Sequence, residues 1–223
     1  MPKFMLVFFA LMMLFVVIIV SVTKNKTKLT DYEAINNLIV SERLYRVSHR
    51  DEKLAECYAE DAQIHTSWQS GGVKSFVGQH PAESATENFN VNRCGGALIH
   101  QNGKRAFVEY PSTTIRSVKI NGVDAVLTSY MRLLYRVEKR EKVWKIVEMT
   151  SINEADELQP AIAGTDLKIN SEDVKNLRIS YRWLAYTRIN AGDKISDDLL
   201  GVDRPDDVKK VYDEAETWLN EKN

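Results

Sequence analysis

The spacing of apolar residues changes several times along this chain. Phe4 to Val22, "FMLVFFALMMLFVVIIVSV", is apolar almost without a break. From Thr30 to about Tyr58 apolar residues recur at helical spacing. Between about residues 91 and 152 they alternate with polar ones, and beyond Ser171 the helical spacing returns. A period near 3.6 predicts amphipathic helices, and a period of two predicts half-buried strands.

The first helix has a clear start. Thr30-x-x-Glu33 is a capping box, and the helix it opens carries Ala34, Leu38, Ser41, Tyr45 and Ser48 along one line, with Ile35 and Ile39 beside it. "HRDEKLAECYAEDA" reads as a turn and a second short helix, with Leu54, Cys57 and Tyr58 inward. Asp61-Ala62 begins a strand that Gly71-Gly72 break. Val73 to Phe89 reads as helical, interrupted at Pro81.

Four strand candidates follow: "VNRCGGALI", "RAFVEYPSTTIRSVKI", "AVLTSYMRLLYRVEK" and "KVWKIVEMTSI". Asn121-Gly122 between the second and third is a hairpin signal, and "KREK" joins the third to the fourth. Such short connections predict an antiparallel meander. A loop with Pro160 and Gly164 comes next, then a mostly helical stretch, "SEDVKNLRISYRWLAYTRINAG". Asp203 and Pro205 start a last helix whose stripe is Val208, Val211, Tyr212, Ala215, Trp218 and Leu219. The predicted class is α+β, with a strongly curved antiparallel sheet bent into a cone. N-terminal helices lie over a pocket, and C-terminal helices follow. The boundaries are 1–29 for the hydrophobic segment, 30–158 for the cone and 159–223 for a helical extension packed on it.

Phe4–Val22 has nineteen residues, which at 1.5 Å rise span about 28 Å, close to a bilayer's hydrocarbon thickness. Val20-Ser21-Val22-Thr23 is a poor cleavage site, so a retained single-pass anchor through residues 4–22 is expected, with secretion after signal cleavage as the alternative. The net charge of -1 and the lack of a Lys/Arg tract in the body of the chain argue against nucleic acid as a partner. Cys57 and Cys94 form no CxxC, and His49, His65, His80 and His100 are scattered. No metal-ligand spacing occurs, and no metal or cofactor is predicted.

The order of elements, with "YAEDA" ahead of the first strand, resembles the SnoaL-like branch of the nuclear-transport-factor-2-like superfamily. "TSYMRLLYRVEKREKVWKIVEMTSINEADELQP" resembles its two long final strands and exit turn, and "NGKRAFVEY" its opening hairpin. "SYRWLAY…LLGVDRPDDVKKVYDEAETWL" resembles the C-terminal extension of one subgroup. The resemblance implies an apolar cone holding a small, largely apolar organic ligand. It leaves three roles open: a binding protein, a cofactor-free acid–base lyase or isomerase of the dehydratase or polyketide-cyclase type, and an assembly module. Homodimerisation through the outer face of the sheet is a further implication.

Enzymes of this group carry a tyrosine on the first helix, a carboxylate soon after it or on the first strand, and a histidine on a later strand. Tyr45 matches the tyrosine. Ser48, Thr66 and Asn92 stand where the carboxylates and the histidine would be. Ser, Thr and Asn orient a substrate but are poor bases near neutral pH. His65 is the obvious remaining base. Strand parity, however, puts Ala62, Ile64, Thr66 and Trp68 on one face and Gln63, His65 and Ser67 on the other. Tyr45, His65 and Asn92 are therefore the catalytic candidates, and Thr66, Trp68, Ser48 and Arg132 the substrate-binding ones. Arg132 would either grip an anionic substrate or pair with Glu148 across two strands. Asp61 reads as a turn residue.

Overall fold

The computed structural model describes residues 29–78 and 89–221. The segment Phe4–Val22, Pro81 and most of the helix expected over 73–89 lie outside these residues. Residues 1–33 and 34–223 are two compact units. In the described part of the first, the capping box is formed: Thr30 N–H donates to Glu33 Oε2 at 2.8 Å, and Glu33 N–H to Thr30 Oγ1 at 3.2 Å.

Helices α1 (Asp31–Val47) and α2 (Asp51–Cys57) precede β1 (Tyr58–His65) and β2 (Ser70–Gly72). After a 3-10 turn at Val73–Ser75 come β3 (Asn90–Cys94), β4 (Leu98–Asn102), β5 (Arg105–Ile120), β6 (Val123–Arg140) and β7 (Val143–Pro160). Three helices close the chain: α3 (Ser171–Val174), α4 (Arg182–Asn190) and α5 (Pro205–Asn220). Strand order is β2-β1-β7-β6-β5-β3, with β4 also on β5. The sheet is mixed, not purely antiparallel, because β1 runs parallel to β7. A chain that leaves a helix and joins the far edge of a meander meets its neighbour in whichever direction it arrives, and no hairpin turn signals the pairing.

Several boundaries differ from the periodicity. β1 starts at Tyr58, three residues before Asp61. "VNRCGGALI" is two strands, because Gly95-Gly96 interrupt pairing and both pieces bond to β5. Of the predicted 73–89 helix, the described part is only the 3-10 turn, residues 76–78 and Phe89, none of them α-helical. β7 continues to Pro160, where a loop was expected, because its last residues pair with Ala125–Thr128. The hairpin turns form as expected. Asn121 and Gly122 take φ of 50° and 82° between paired Ile120 and Val123. Glu141 and Lys142 adopt the same left-handed conformation between Arg140 and Val143. Two register shifts between β6 and β7, at Tyr130/Met131 and Arg136/Val137, bend these long strands into a curved, unclosed sheet.

The concave face carries the main core. Ile35 and Ile39 of α1 and Leu54 of α2 pack with Val108, Leu133, Tyr135, Val137, Ile146 and Met149. The buried line of α1 is thus Ile35–Ile39–Glu42, one position round from the line read off the sequence. Farther along the same face, Leu177, Tyr181, Leu184 and Ala185 cover Leu127. On the convex face α5 lays Val208, Val211, Tyr212, Ala215 and Leu219 over Phe107, Leu134 and Ile152. Gly201 seals one edge of the sheet: Asn153 N–H donates to Leu200 O and Val202 N–H to Asn153 O, at 2.9 and 3.0 Å.

Candidate functional site

Between α1, the 66–76 segment, the concave sheet face and α4 lies a cavity of about 120 Å³. Its wall is built from all four. Helix α1 and the turn after it give Arg43, Arg46 and His49. Segment 66–76 gives Thr66, Ser67, Trp68 and Phe76. The strands give Asn92, Thr114, Arg116, Ser129, Met131, Leu133, Met149 and Ser151, and α4 gives Leu184 and Arg188. The strand residues share a face because cross-strand register places Asn92 beside Thr114 and Thr114 beside Ser129. Among the described residues no aspartate or glutamate lines the cavity. The wall mixes polar and cationic side chains with apolar ones, rather than being apolar throughout as the sequence led one to expect.

Behind this wall lies a buried polar cluster that the sequence reading passed over. Glu42 is fully buried. Its carboxylate is paired by the Arg43 guanidinium through both oxygens. Oε1 also accepts from Tyr58 Oη at 2.8 Å, and Oε2 from Tyr135 Oη at 3.0 Å. Arg43 Nη2 lies 3.5 Å from Met149 Sδ. Burial works against the Arg43 charge, but Glu42 more than offsets it and holds the guanidinium above its ordinary pKa. Burial first, and then the Glu42 charge, push both tyrosine hydroxyls well above theirs. With every donor aimed at it, Glu42 is an anchor for Arg43 and for the α1–sheet contact, not a base open to a ligand. The signal was in the spacing: positions 35, 39 and 42 form one helical line, and a carboxylate on an apolar line needs a partner.

Arg46 is held differently. Its guanidinium sits 4.3 Å from the Phe76 ring centroid and 4.9 Å from that of Trp68, and Nη1 donates to Phe76 O at 2.9 Å. The two rings stack at 5.6 Å. Burial, then repulsion from Arg43, lower the Arg46 pKa. His49 follows the end of α1 at φ 53°, where Arg50 N–H bonds back to Tyr45 O at 3.0 Å. That left-handed helix end is a conformation histidine takes more readily than most residues.

The sequence-derived candidates divide into two groups. Thr66, Trp68 and Asn92 line the cavity. Thr66 Oγ1 is engaged in its own turn, accepting from Gln69 N–H at 3.1 Å, and Asn92 Nδ2 donates to Thr114 Oγ1 at 2.8 Å. Tyr45, Ser48, His65 and Arg132 do not line it. Tyr45 packs at the edge of the core with the Arg50 guanidinium 4.5 Å from its ring centroid. Ser48 is exposed and donates to Leu44 O. His65 is exposed, as strand parity requires, with Nδ1 2.7 Å from Ser70 Oγ. Arg132 lies on the convex face between Glu154 Oε1, at 3.0 Å, and Tyr212 Oη, at 2.7 Å. Its carboxylate partner is Glu154, while Glu148 pairs with Arg136 at 2.9 Å. The sheet's register sets Arg136, not Arg132, opposite Glu148. Asp61 sits in β1 and binds Arg140.

A family model described as SnoaL-like domain matches residues 27–150. No curated protein matches the chain. Among solved structures it is similar to a provisionally named scytalone dehydratase from Novosphingobium aromaticivorans, at 14% identity over 61% of this chain and 95% of that one, with a TM-score of 0.46. It is also similar to a hexachlorocyclohexane dehydrochlorinase, at 12% identity over 61% and 93% with a TM-score of 0.49. An NTF2-like protein with a cystatin-like fold from Novosphingobium aromaticivorans shares 21% identity over 54% and 80%, with a TM-score of 0.42.

Proposed function

The chain belongs to the SnoaL-like domain family, and from that premise we propose that its concave sheet face holds a small organic molecule in the cavity beneath α4. One observation carries the reading. A space of about 120 Å³ is bordered by the apolar Trp68, Met131 and Leu133 interleaved with the polar Asn92, Ser129 and Ser151. Apolar surface with a few directional polar groups is the usual make-up of a ligand site. The volume is near the roughly 150 Å³ that accepts a benzene-sized molecule, so the ligand is small. Ligand-observed NMR of the full-length chain against a panel of one-ring and short-chain organic molecules tests this. Binding should occur and should be lost in Ser129→Phe, which fills the space. No binder, or binding unchanged in the folded variant, refutes it.

Cofactor-free acid–base chemistry is a second reading, favoured by His49. Among the described residues lining the cavity His49 is the only histidine, and no aspartate or glutamate stands beside it. Tyr45 and His65 lie outside it, so this chemistry would run through His49. A small ketone incubated with the protein in D₂O should then exchange its α-protons, and His49→Gln should stop the exchange. An assembly role would need a free convex sheet face, and α5 lies across that face. We further propose that Phe4–Val22 tethers the domain to a membrane. Release of the full-length chain by alkaline carbonate wash would contradict the tether.

A further inference from the structure

Resting on the reading of this cavity as a ligand site, we propose that Ser129 and Thr114 set its specificity by receiving an uncharged carbonyl oxygen of the ligand. Ser129 is the residue that points to this. It alternates with Leu127 and Met131 along β6, on the concave face, and it lines the cavity. It is only 7% exposed, yet its hydroxyl bonds to no other described residue. Buried polar groups are nearly always paired. The other buried serines and threonine among the described residues do have partners. Ser112 Oγ accepts from Cys94 Sγ at 3.7 Å, and Ser151 Oγ donates to Met131 Sδ at 3.7 Å. Ser180 Oγ donates to Asp203 Oδ1 at 2.7 Å, and Thr187 Oγ1 to Leu184 O at 2.9 Å. Ser129 alone faces the cavity with its hydrogen-bonding capacity unspent.

A second hydroxyl stands beside it. Thr114 on β5 is the register partner of Ser129, which puts the two side chains about 5 Å apart on one face. Thr114 Oγ1 accepts from Asn92 Nδ2 at 2.8 Å, which leaves its own proton to give. Two hydroxyl protons from neighbouring strands can meet at one oxygen placed between them. A carbonyl oxygen has the two lone pairs to take both, and it brings no proton that would need an acceptor in turn. The ligand need not be charged, because Arg43 and Arg188 in the same wall are already engaged by Glu42 and Asp193. Met131 and Leu133 continue along β6 from Ser129, and with Trp68 they supply apolar surface for the ligand's body. The cavity volume holds that body to about a single ring. A site built around a hydrogen bond discriminates against the analogue that cannot make it.

The test uses cyclohexanone and methylenecyclohexane, which share a ring and an exocyclic double bond and differ in the oxygen. Both are titrated by ligand-observed NMR on the full-length chain, in wild type, Ser129→Ala and Thr114→Val. The ratio of ketone to alkene affinity should fall about three- to tenfold in Ser129→Ala, the worth of one neutral hydrogen bond. Thr114→Val should lower it in the same direction. Comparing the two probes within each variant cancels changes in cavity size that affect both. Ser129→Ala removes a hydroxyl that has no protein partner, so its thermal midpoint should not fall. In infrared difference spectra the carbonyl stretch of the bound ketone should rise in Ser129→Ala as one donor is lost. An affinity ratio unchanged in Ser129→Ala would mean that the hydroxyl serves water alone. That would overturn this inference and leave the small-molecule site standing. A midpoint well below wild type would reveal a protein partner for Ser129 and overturn it as well. Failure of both probes to bind the wild-type chain would remove both the inference and the site beneath it.

Discussion

Glu42→Gln isolates the buried cluster with little change in shape. The side chain is fully buried, and its two oxygens serve Arg43, Tyr58 and Tyr135. The amide removes the negative charge and replaces one acceptor with a donor. One tyrosine hydroxyl must then turn, and the Arg43 guanidinium is left without its carboxylate. Breaking a buried ion pair from one side costs about 3–5 kcal/mol. Arg43 borders a cavity that water can enter, which puts the expected loss at the lower end, about 3 kcal/mol. At about 2–4 °C per kcal/mol for a chain of this size, the midpoint should fall by about 6–12 °C. The double variant Glu42→Gln with Arg43→Met takes both charges away together, keeps an acceptor for the tyrosines and should recover most of that loss. Equilibrium urea unfolding of wild type, both single variants and the double variant closes the cycle, provided the denaturant slope stays constant. A loss below about 1 kcal/mol in Glu42→Gln, or a double variant no better than the single, would refute the account of Glu42 as the anchor of Arg43.

Two further substitutions probe the C-terminal extension. Burial raises the Asp156 pKa, against the N–H groups of Leu184 and Trp183 and the Arg182 charge, which lower it. The native chain therefore binds this proton more tightly than the unfolded chain does, whose carboxyl titrates near pH 3.9. The associated stability is full below that value and is lost as pH rises through the native pKa. Asp156→Asn keeps an acceptor for Leu184 N–H, 2.7 Å away, so it should match or exceed wild type at pH 7 and lose that advantage at pH 3 in thermal melts. A variant markedly weaker at pH 7 would contradict the sign. At Gly201 a methyl group would stand 2.3 Å from Ser180 Oγ and 2.9 Å from Ser180 Cβ. Gly201→Ala should cost about 1–3 kcal/mol in chemical denaturation, and Ser180→Gly should restore part of it. An unchanged midpoint in the alanine variant would show that this edge yields freely.

The long hairpins were legible in the sequence because two local signals agree, a period of two and turn residues that accept positive φ at Asn121-Gly122. The stripe on α5 was legible for the same reason, since Pro205 marks its start and its apolar positions keep one face. The partner of β1 was not, because pairing with β7 joins residues about 85–88 positions apart (Tyr58 with Ile146, Gln63 with Glu148) and leaves no local trace. The break at Gly95-Gly96 was hidden by strand-like residues on both sides. Parity in β1 placed Thr66 and Trp68 on the cavity side and His65 on the other, as found. Arg132 misled because its convex face is covered by a helix roughly 80 residues downstream, whose Tyr212 it meets. The cavity's arginines went unremarked because each, taken alone, looks like an ordinary surface charge. Only the fold brings four of them to one space.

Helix α5 follows every described strand in the sequence, which sets the order in which the sheet and its cover are made during synthesis. Every described strand of the sheet is made before Pro205 is added, and the helix that covers Phe107, Leu134 and Ile152 is made after them. At a chain growth of about 5–20 residues per second the 16 residues of α5 take about 1–3 s to add. For that interval the hairpins can pair while their convex side remains bare. A product ending anywhere between Pro160 and Pro205 would keep it bare permanently. Each of the three uncovered side chains forgoes about 1.5–3 kcal/mol of burial, enough to make such truncated products associate with one another through that face.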